Sequence, residues 1–223
     1  LTPEEKLAAI GEILEIEFGI PKRKKRDPLK ILIKTILSQN TNDKNRDLAF
    51  DRLMKEFPGW DELADAPSSR IAAAIRPGGL HNQKAERIKG ILSFIKDNFP
   101  NFDISPLCRL SLDEAKKRLT ALPGIGVKTF AILMLFSCGK EVFPVDTHIH
   151  RIMKRLGMVP EKATAEKTFR LLTGKVARGK SYSLHLNLIK LGRTICRARK
   201  PDCLRCFISS FCLYYVGNKE VIK

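Results

Sequence analysis

The sequence predicts an all-α protein, and three observations carry that expectation. Apolar residues recur at helical spacing along the chain, capping signatures mark helix starts, and period-two alternation rich in β-branched residues is absent. Thr2-Pro3-Glu4-Glu5 is a capping box with proline at the first helical position, and Gly19 would stop the helix it opens. Asp27-Pro28 opens a second helix whose Leu29, Ile33, Ile36 and Leu37 share one face. Further helices are expected over 42–57, 69–76, 83–99 and 112–122, the last opened by a second capping box, Ser111-Leu112-Asp113-Glu114. Another follows Gly126 to about Cys138, and three more span 147–156, 165–177 and 182–195.

Charge narrows the partner. The 223 residues hold 41 Lys and Arg against 24 Asp and Glu, a formal charge of +17. Such an excess repels itself in a compact fold, and nucleic acid is the polyanion that best offsets it. The one charge block, Lys22-Arg23-Lys24-Lys25-Arg26, reads equally as a phosphate-contacting loop, a nuclear address or a solvated linker. The longest apolar run, 130–136, is far short of the roughly 20 residues that span a bilayer, so no membrane partner is expected. The N-terminus lacks the basic-then-apolar pattern of a secretory signal. The expected setting is intracellular, cytoplasm or nucleoid in a prokaryote, where cysteines serve as ligands more often than as disulfides.

Cys196, Cys203, Cys206 and Cys212 follow a C-x6-C-x2-C-x5-C spacing. Four thiolates so close together repel unless a metal compensates them. Zinc sites usually use two tight pairs. One tight pair with a wider arm on each side suits a larger 4Fe–4S cubane, with zinc as the alternative. Cys108 and Cys138 fall outside the set and are expected to be small buried hydrophobes. Between the first two ligands, Arg197, Arg199 and Lys200 either face a phosphate backbone or offset the charge of the cluster.

Leu122-Pro123-Gly124-Ile125-Gly126-Val127-Lys128-Thr129 joins two helices through a turn with two glycines. Gly124 and Gly126 let the backbone approach closely and leave N–H groups at a helix start, a site for a DNA phosphate. Lys128 stands where a helix dipole disfavours a cation. A free lysine, with a pKa near 10.4, is neutral in only about one molecule in 2,500 at pH 7. Depressing that pKa makes a nucleophile suited to Schiff-base chemistry; the plainer reading of Lys128 is a phosphate contact. Asp146, in Val145-Asp146-Thr147-His148-Ile149-His150-Arg151, is either a helix N-cap or a carboxylate facing Lys128 across a cleft. His148 and His150 point to different helix faces and make a poor metal pair.

These features in this order resemble the endonuclease III family of DNA glycosylases, within the helix-hairpin-helix superfamily. The hairpin 122–129 resembles the family's, with lysine at its nucleophile position; 145–151 resembles its catalytic-aspartate segment, and 196–212 has its cluster spacing. Leu37-Ser38-Gln39-Asn40-Thr41-Asn42-Asp43 resembles the loop that probes the helix, and Gly79-Leu80-His81-Asn82-Gln83-Lys84-Ala85 the wedge loop. The resemblance runs from about residue 10 to 215. It implies two helical domains with DNA bound between them: a six-helix barrel over 21–140 carrying the helix-hairpin-helix, and a cluster domain of 1–20 with 141–223.

The resemblance further implies a monomer that acts on double-stranded DNA containing damaged bases or abasic sites. The damaged base, an oxidised or ring-saturated pyrimidine of the thymine glycol type, is flipped out, and Leu80 and Asn40 fill the gap. Lys128 attacks the sugar, Asp146 steadies the cationic charge, and β-elimination follows. Asn40 departs from a glutamine common in bacterial members, which leaves a shorter amide. Adenine-mismatch relatives lack the hairpin lysine and usually carry a further C-terminal domain, so Lys128 and an end at Lys223 count against them. Thymine- or uracil-mismatch glycosylases and a non-catalytic DNA-binding module are the remaining alternatives.

Overall fold

A computed structural model describes residues 1–24 and 26–218; Lys25, within the basic run, and residues 219–223 lie outside the described residues. Among the described residues every regular element is helical. The chain divides into two compact units, Leu1–Lys24 with Lys140–Lys223, and Lys25–Gly139.

α1 (Pro3–Phe18) begins at a reciprocal box. The Glu5 N–H donates to Thr2 Oγ1 at 3.2 Å, and the Thr2 N–H donates to the Glu5 carboxylate at 2.8 Å. It ends at Gly19, whose φ of +83° suits a residue without a Cβ. In the second unit, α2 (Pro28–Leu37) is capped by Asp27, and α3 (Asp43–Glu56) by Asn42. α4 (Trp60–Asp65), α5 (Ser68–Ala74), α6 (His81–Asn98), α7 (Leu112–Thr120) and α8 (Val127–Phe136) follow. The chain then re-enters the first unit with α9 (Thr147–Arg155), α10 (Ala165–Leu172), α11 (Ser181–Thr194) and α12 (Leu213–Gly217).

The departures from expectation have local causes. The helix expected over 69–76 stops at Ala74, and a 3-10 turn spans Arg76–Gly78. Pro77 has no N–H, and it also disfavours the α region for Arg76. The helix expected to reach 177 ends at Leu172, shortly before Gly174 at φ +78°. Only half of the second capping box forms: Ser111 caps Glu114 N–H at 3.2 Å, but the Glu114 carboxylate pairs with Arg118 at 2.7 Å instead. α4 and the 3-10 turns at 100–102 and 105–109 are too short to leave a periodic signal.

Each unit has its own core. In the first, α11 packs on α1 and α9, burying Leu7, Ile10 and Leu14 with Ile149, Ile152, Leu184 and Leu188. Asn187 ties α11 to the end of α1, donating to the Leu14 and Gly19 carbonyls at 3.2 and 3.0 Å. Gly192 admits His148: a Cβ there would come within 2.8 Å of the histidine's. In the second unit α8 packs on α2 and α7, and α6 packs on α2, α4 and α5. α8 is the apolar run of the sequence, and Phe130, Ala131, Leu133, Met134 and Leu135 are all buried. Full burial of such a side chain contributes roughly 1.5–3 kcal/mol, so this one helix anchors the unit.

One expectation is overturned. Cys108 and Cys138 are not small buried hydrophobes; they are half-buried and form a disulfide, with Cα atoms 4.9 Å apart. The bridge joins the turn before α7 to the residue shortly after α8, so the loop it closes contains the whole α7–hairpin–α8 segment. Local pattern cannot announce a pairing between residues 30 apart, because the bridge depends on where the fold brings the chain back.

Candidate nucleic-acid interface and metal centre

α7 and α8 form a helix-hairpin-helix in the Lys25–Gly139 unit. The turn is closed by the Ile125 N–H donating to Leu122 at 3.1 Å, and Gly124 sits at φ +82°. Gly126 is the N-cap of α8 and offers no side chain to its first N–H groups, the arrangement in which a helix start can accept an anion. Gly124 also admits Arg87 of α6: a Cβ at 124 would lie 2.7 Å from Arg87 Cδ. Arg87 donates to Gln39 Oε1 at 2.7 Å, and Gln39 Nε2 donates to the Gly124 carbonyl at 3.2 Å. The hairpin, the loop after α2 and α6 are thus one network.

Lys128 is exposed, in the first turn of α8, with no hydrogen bond or ion pair to a described residue. Asn40 and Leu80 both lie exposed in the left-handed region, at φ +51° and +48°. Each non-glycine residue held there costs of order 1–3 kcal/mol, a cost that clusters at ligand-handling loops.

Asp146 belongs to the other unit. It is half-buried, and its Oδ1 accepts from the Ile149 N–H at 2.8 Å, capping α9. His148 and His150 take separate partners, Arg151 at 3.2 Å and Thr168 at 2.9 Å. In the same unit Cys196, Cys203, Cys206 and Cys212 line one pocket with Arg155 and Tyr214. Burial and the neighbouring sulphurs push the Cys206 thiol up to about 11, and burial raises Cys203 and Cys212 too. Cysteine side chains gathered this way suit a cation, which binds sulphur in place of its proton. Among the described residues, no group of three or more His, Cys, Asp or Glu side chains is arranged to hold a single metal ion.

The loop after Cys196 is closed by the Asp202 N–H donating to Ile195 at 3.0 Å. Arg155 braces it from within, donating to Cys196 Sγ at 3.2 Å and to the Arg197 and Ala198 carbonyls at 2.8 and 3.1 Å. Arg197, Arg199 and Lys200 are left exposed, with Lys200 at φ +50°. Sequence reasoning missed Arg155, Arg87 and Lys84. For Lys84 there was a signal: with Ile88, Ile91 and Ile95 it falls on the apolar face of α6, where a charge is out of place.

Residues 33–178 match the family model described as HhH-GPD superfamily base excision DNA repair protein. The chain is 35% identical to endonuclease III of Sulfolobus acidocaldarius, over 87% of this chain and 86% of that one. It is 37% identical to a putative DNA glycosylase of Arabidopsis thaliana over 76% of its length, and spans 58% of that plant protein. A solved non-covalent endonuclease III–DNA complex shares the fold, with a TM-score of 0.82 over 100% of both chains at 24% identity. The glycine hairpin with its lysine and the cysteine segment lie within this likeness, and the chain belongs to the endonuclease III family of DNA glycosylases, in the HhH-GPD superfamily of base excision DNA repair proteins.

Proposed function

We propose that this chain acts as a monomer on duplex DNA, excising oxidised or ring-saturated pyrimidines of the thymine glycol type and then cleaving the abasic site. The observation that carries the reading is Lys128: an exposed amine in the first turn of α8, directly after a two-glycine turn whose N–H groups suit a phosphate. A strand held by its phosphates at that turn presents sugar carbons to the amine.

The neutral Nζ attacks C1′ while the N-glycosidic bond breaks, and the base leaves with the bonding pair and takes up a proton. Loss of the amine proton and opening of the C1′–O4′ bond give the imine. Removal of a C2′ proton then expels the 3′ phosphate, and water hydrolyses the imine to return Lys128. Asp146, with Oδ1 engaged in capping α9, retains Oδ2 to steady the cationic sugar and to assist proton transfer. Asn40 and Leu80 fill the gap left by the flipped base. Cys196, Cys203, Cys206 and Cys212 would hold a 4Fe–4S cluster, whose contribution is structural. With Arg155 it would fix the loop on which Arg197, Arg199 and Lys200 meet phosphates.

Borohydride added during turnover should trap wild type, and not Lys128→Ala, as a covalent adduct. Base excision without an adduct would overturn the Schiff base. A panel of duplexes, each with one lesion or a G·T or G·U mismatch, tests the substrate class; excision confined to the mismatches would overturn it.

A further inference from the structure

Lys84 is the one charged side chain buried among the described residues, at 1% exposure. No carboxylate pairs with it there. Its ammonium instead donates to two main-chain carbonyls, Leu37 and Gly78, each at 2.8 Å. An ammonium taken out of water without a counter-charge is expensive, so the geometry must offset that cost. It does so in part, because Leu37 ends α2 and its carbonyl belongs to the negative pole of that helix.

Both carbonyls are roots of loops. Two residues separate Leu37 from Asn40, and one separates Gly78 from Leu80. Gly78 is packed tightly enough that a Cβ would lie 3.3 Å from that of Ala49 and 3.9 Å from Lys84 Nζ. One cation therefore bolts the take-off points of the two loops whose tips sit in left-handed backbone at Asn40 and Leu80.

We infer that Lys84 is a positioning residue that sets the spacing between Asn40 and Leu80, so that both tips enter the gap of an extruded base together. The inference rests on the proposed DNA reading and adds to it a residue that touches neither DNA nor the reacting atoms. Without the bolt each loop keeps its own conformation, but the distance between tips drifts. A displacement of about 1 Å in such a constellation can cost on the order of 100-fold in rate.

The test separates extrusion from chemistry. A duplex carries one lesion with 2-aminopurine beside it, whose fluorescence rises as its neighbour leaves the stack. At matched active fraction, Lys84→Met should lower the rate constant of that rise by about tenfold or more. Borohydride trapping on a preformed abasic site in a single strand, where no gap needs filling, should change much less. A mere folding defect lowers the active fraction and affects both substrates alike. If Lys84→Met does not fold, Gly78→Ala decides: it keeps the ammonium, pushes the turn off Ala49, and should slow extrusion selectively. Unchanged extrusion in the folded variant, or equal losses on both substrates, overturns the inference. A wild type that gives neither a fluorescence rise nor an adduct overturns the DNA reading instead.

Discussion

The two cysteine-bearing regions solve the same problem, holding an irregular loop still, by opposite means. In the Lys25–Gly139 unit, Cys108 and Cys138 close a covalent ring around α7, the hairpin and α8, and the turn inside is packed by Arg87 and Gln39. In the other unit, 196–212 contains two three-residue 3-10 turns and four free thiols around a pocket. The hairpin is self-supporting. The cysteine segment has little apolar burial beyond Cys203 and Ile208, and would depend on the proposed cluster for its support. The reactive amine would belong on the self-supporting element and the backbone contacts on the dependent one.

That division can be broken, most severely at Lys128. Lys128→Ala should lower excision by about 10³-fold or more and abolish borohydride trapping, since removing a nucleophile costs on this scale. DNA affinity should hardly change, because the hairpin N–H groups remain. A large loss of affinity with retained excision would place Lys128 among the phosphate contacts.

Next in size is the staple. A disulfide that closes a loop of 30 residues stabilises by about 3–4 kcal/mol in the chain-entropy account. Cys108→Ser, or reduction of wild type, should cost nearly that much in denaturant unfolding. A cost below about 1 kcal/mol would show that core packing on α8 already restrains the hairpin. Cys206→Ser probes the dependent region. If the four cysteines hold the proposed cluster, it should bleach that cluster's visible absorbance and weaken DNA binding about 10- to 100-fold. If Arg197, Arg199 and Lys200 each meet one phosphate, the slope of log affinity against log salt should also flatten by about 2–3. An unchanged slope would remove that loop from the DNA interface.

The same contrast explains what was legible in the sequence. The helices announced themselves through caps such as Thr2 and Asp27 and through the face Leu29, Ile33, Ile36 and Leu37, all local signals. The hairpin glycines and the four-cysteine spacing were legible for the same reason. What stayed hidden was long-range. The Cys108–Cys138 bridge, the Arg87–Gln39–Gly124 network and the grip of Arg155 on Cys196 and its loop join residues 30 to 85 positions apart. No periodicity encodes such distances. Lys84 falls between: its place on an apolar face was visible, but its carbonyl partners were not.

The smallest effect tests whether the hairpin is as self-supporting as its packing implies. Gly124→Ala places a Cβ at φ +82°, which costs roughly 1–2 kcal/mol for an L-residue. It also drives that Cβ to within 2.7 Å of Arg87 Cδ. Arg87 is long enough to swing aside, but doing so breaks its 2.7 Å bond to Gln39, and Gln39 in turn holds the Gly124 carbonyl. The backbone cost and the network cost can be separated by a double-mutant cycle. Arg87→Ala removes the clash and the network together, so Gly124→Ala in that background should show only the backbone part. The two substitutions should therefore be less than additive, by about 0.5–1 kcal/mol in unfolding. Strict additivity would mean that Arg87 merely lies beneath the turn, and that the hairpin keeps its shape from Gly124 and the α7–α8 contact alone.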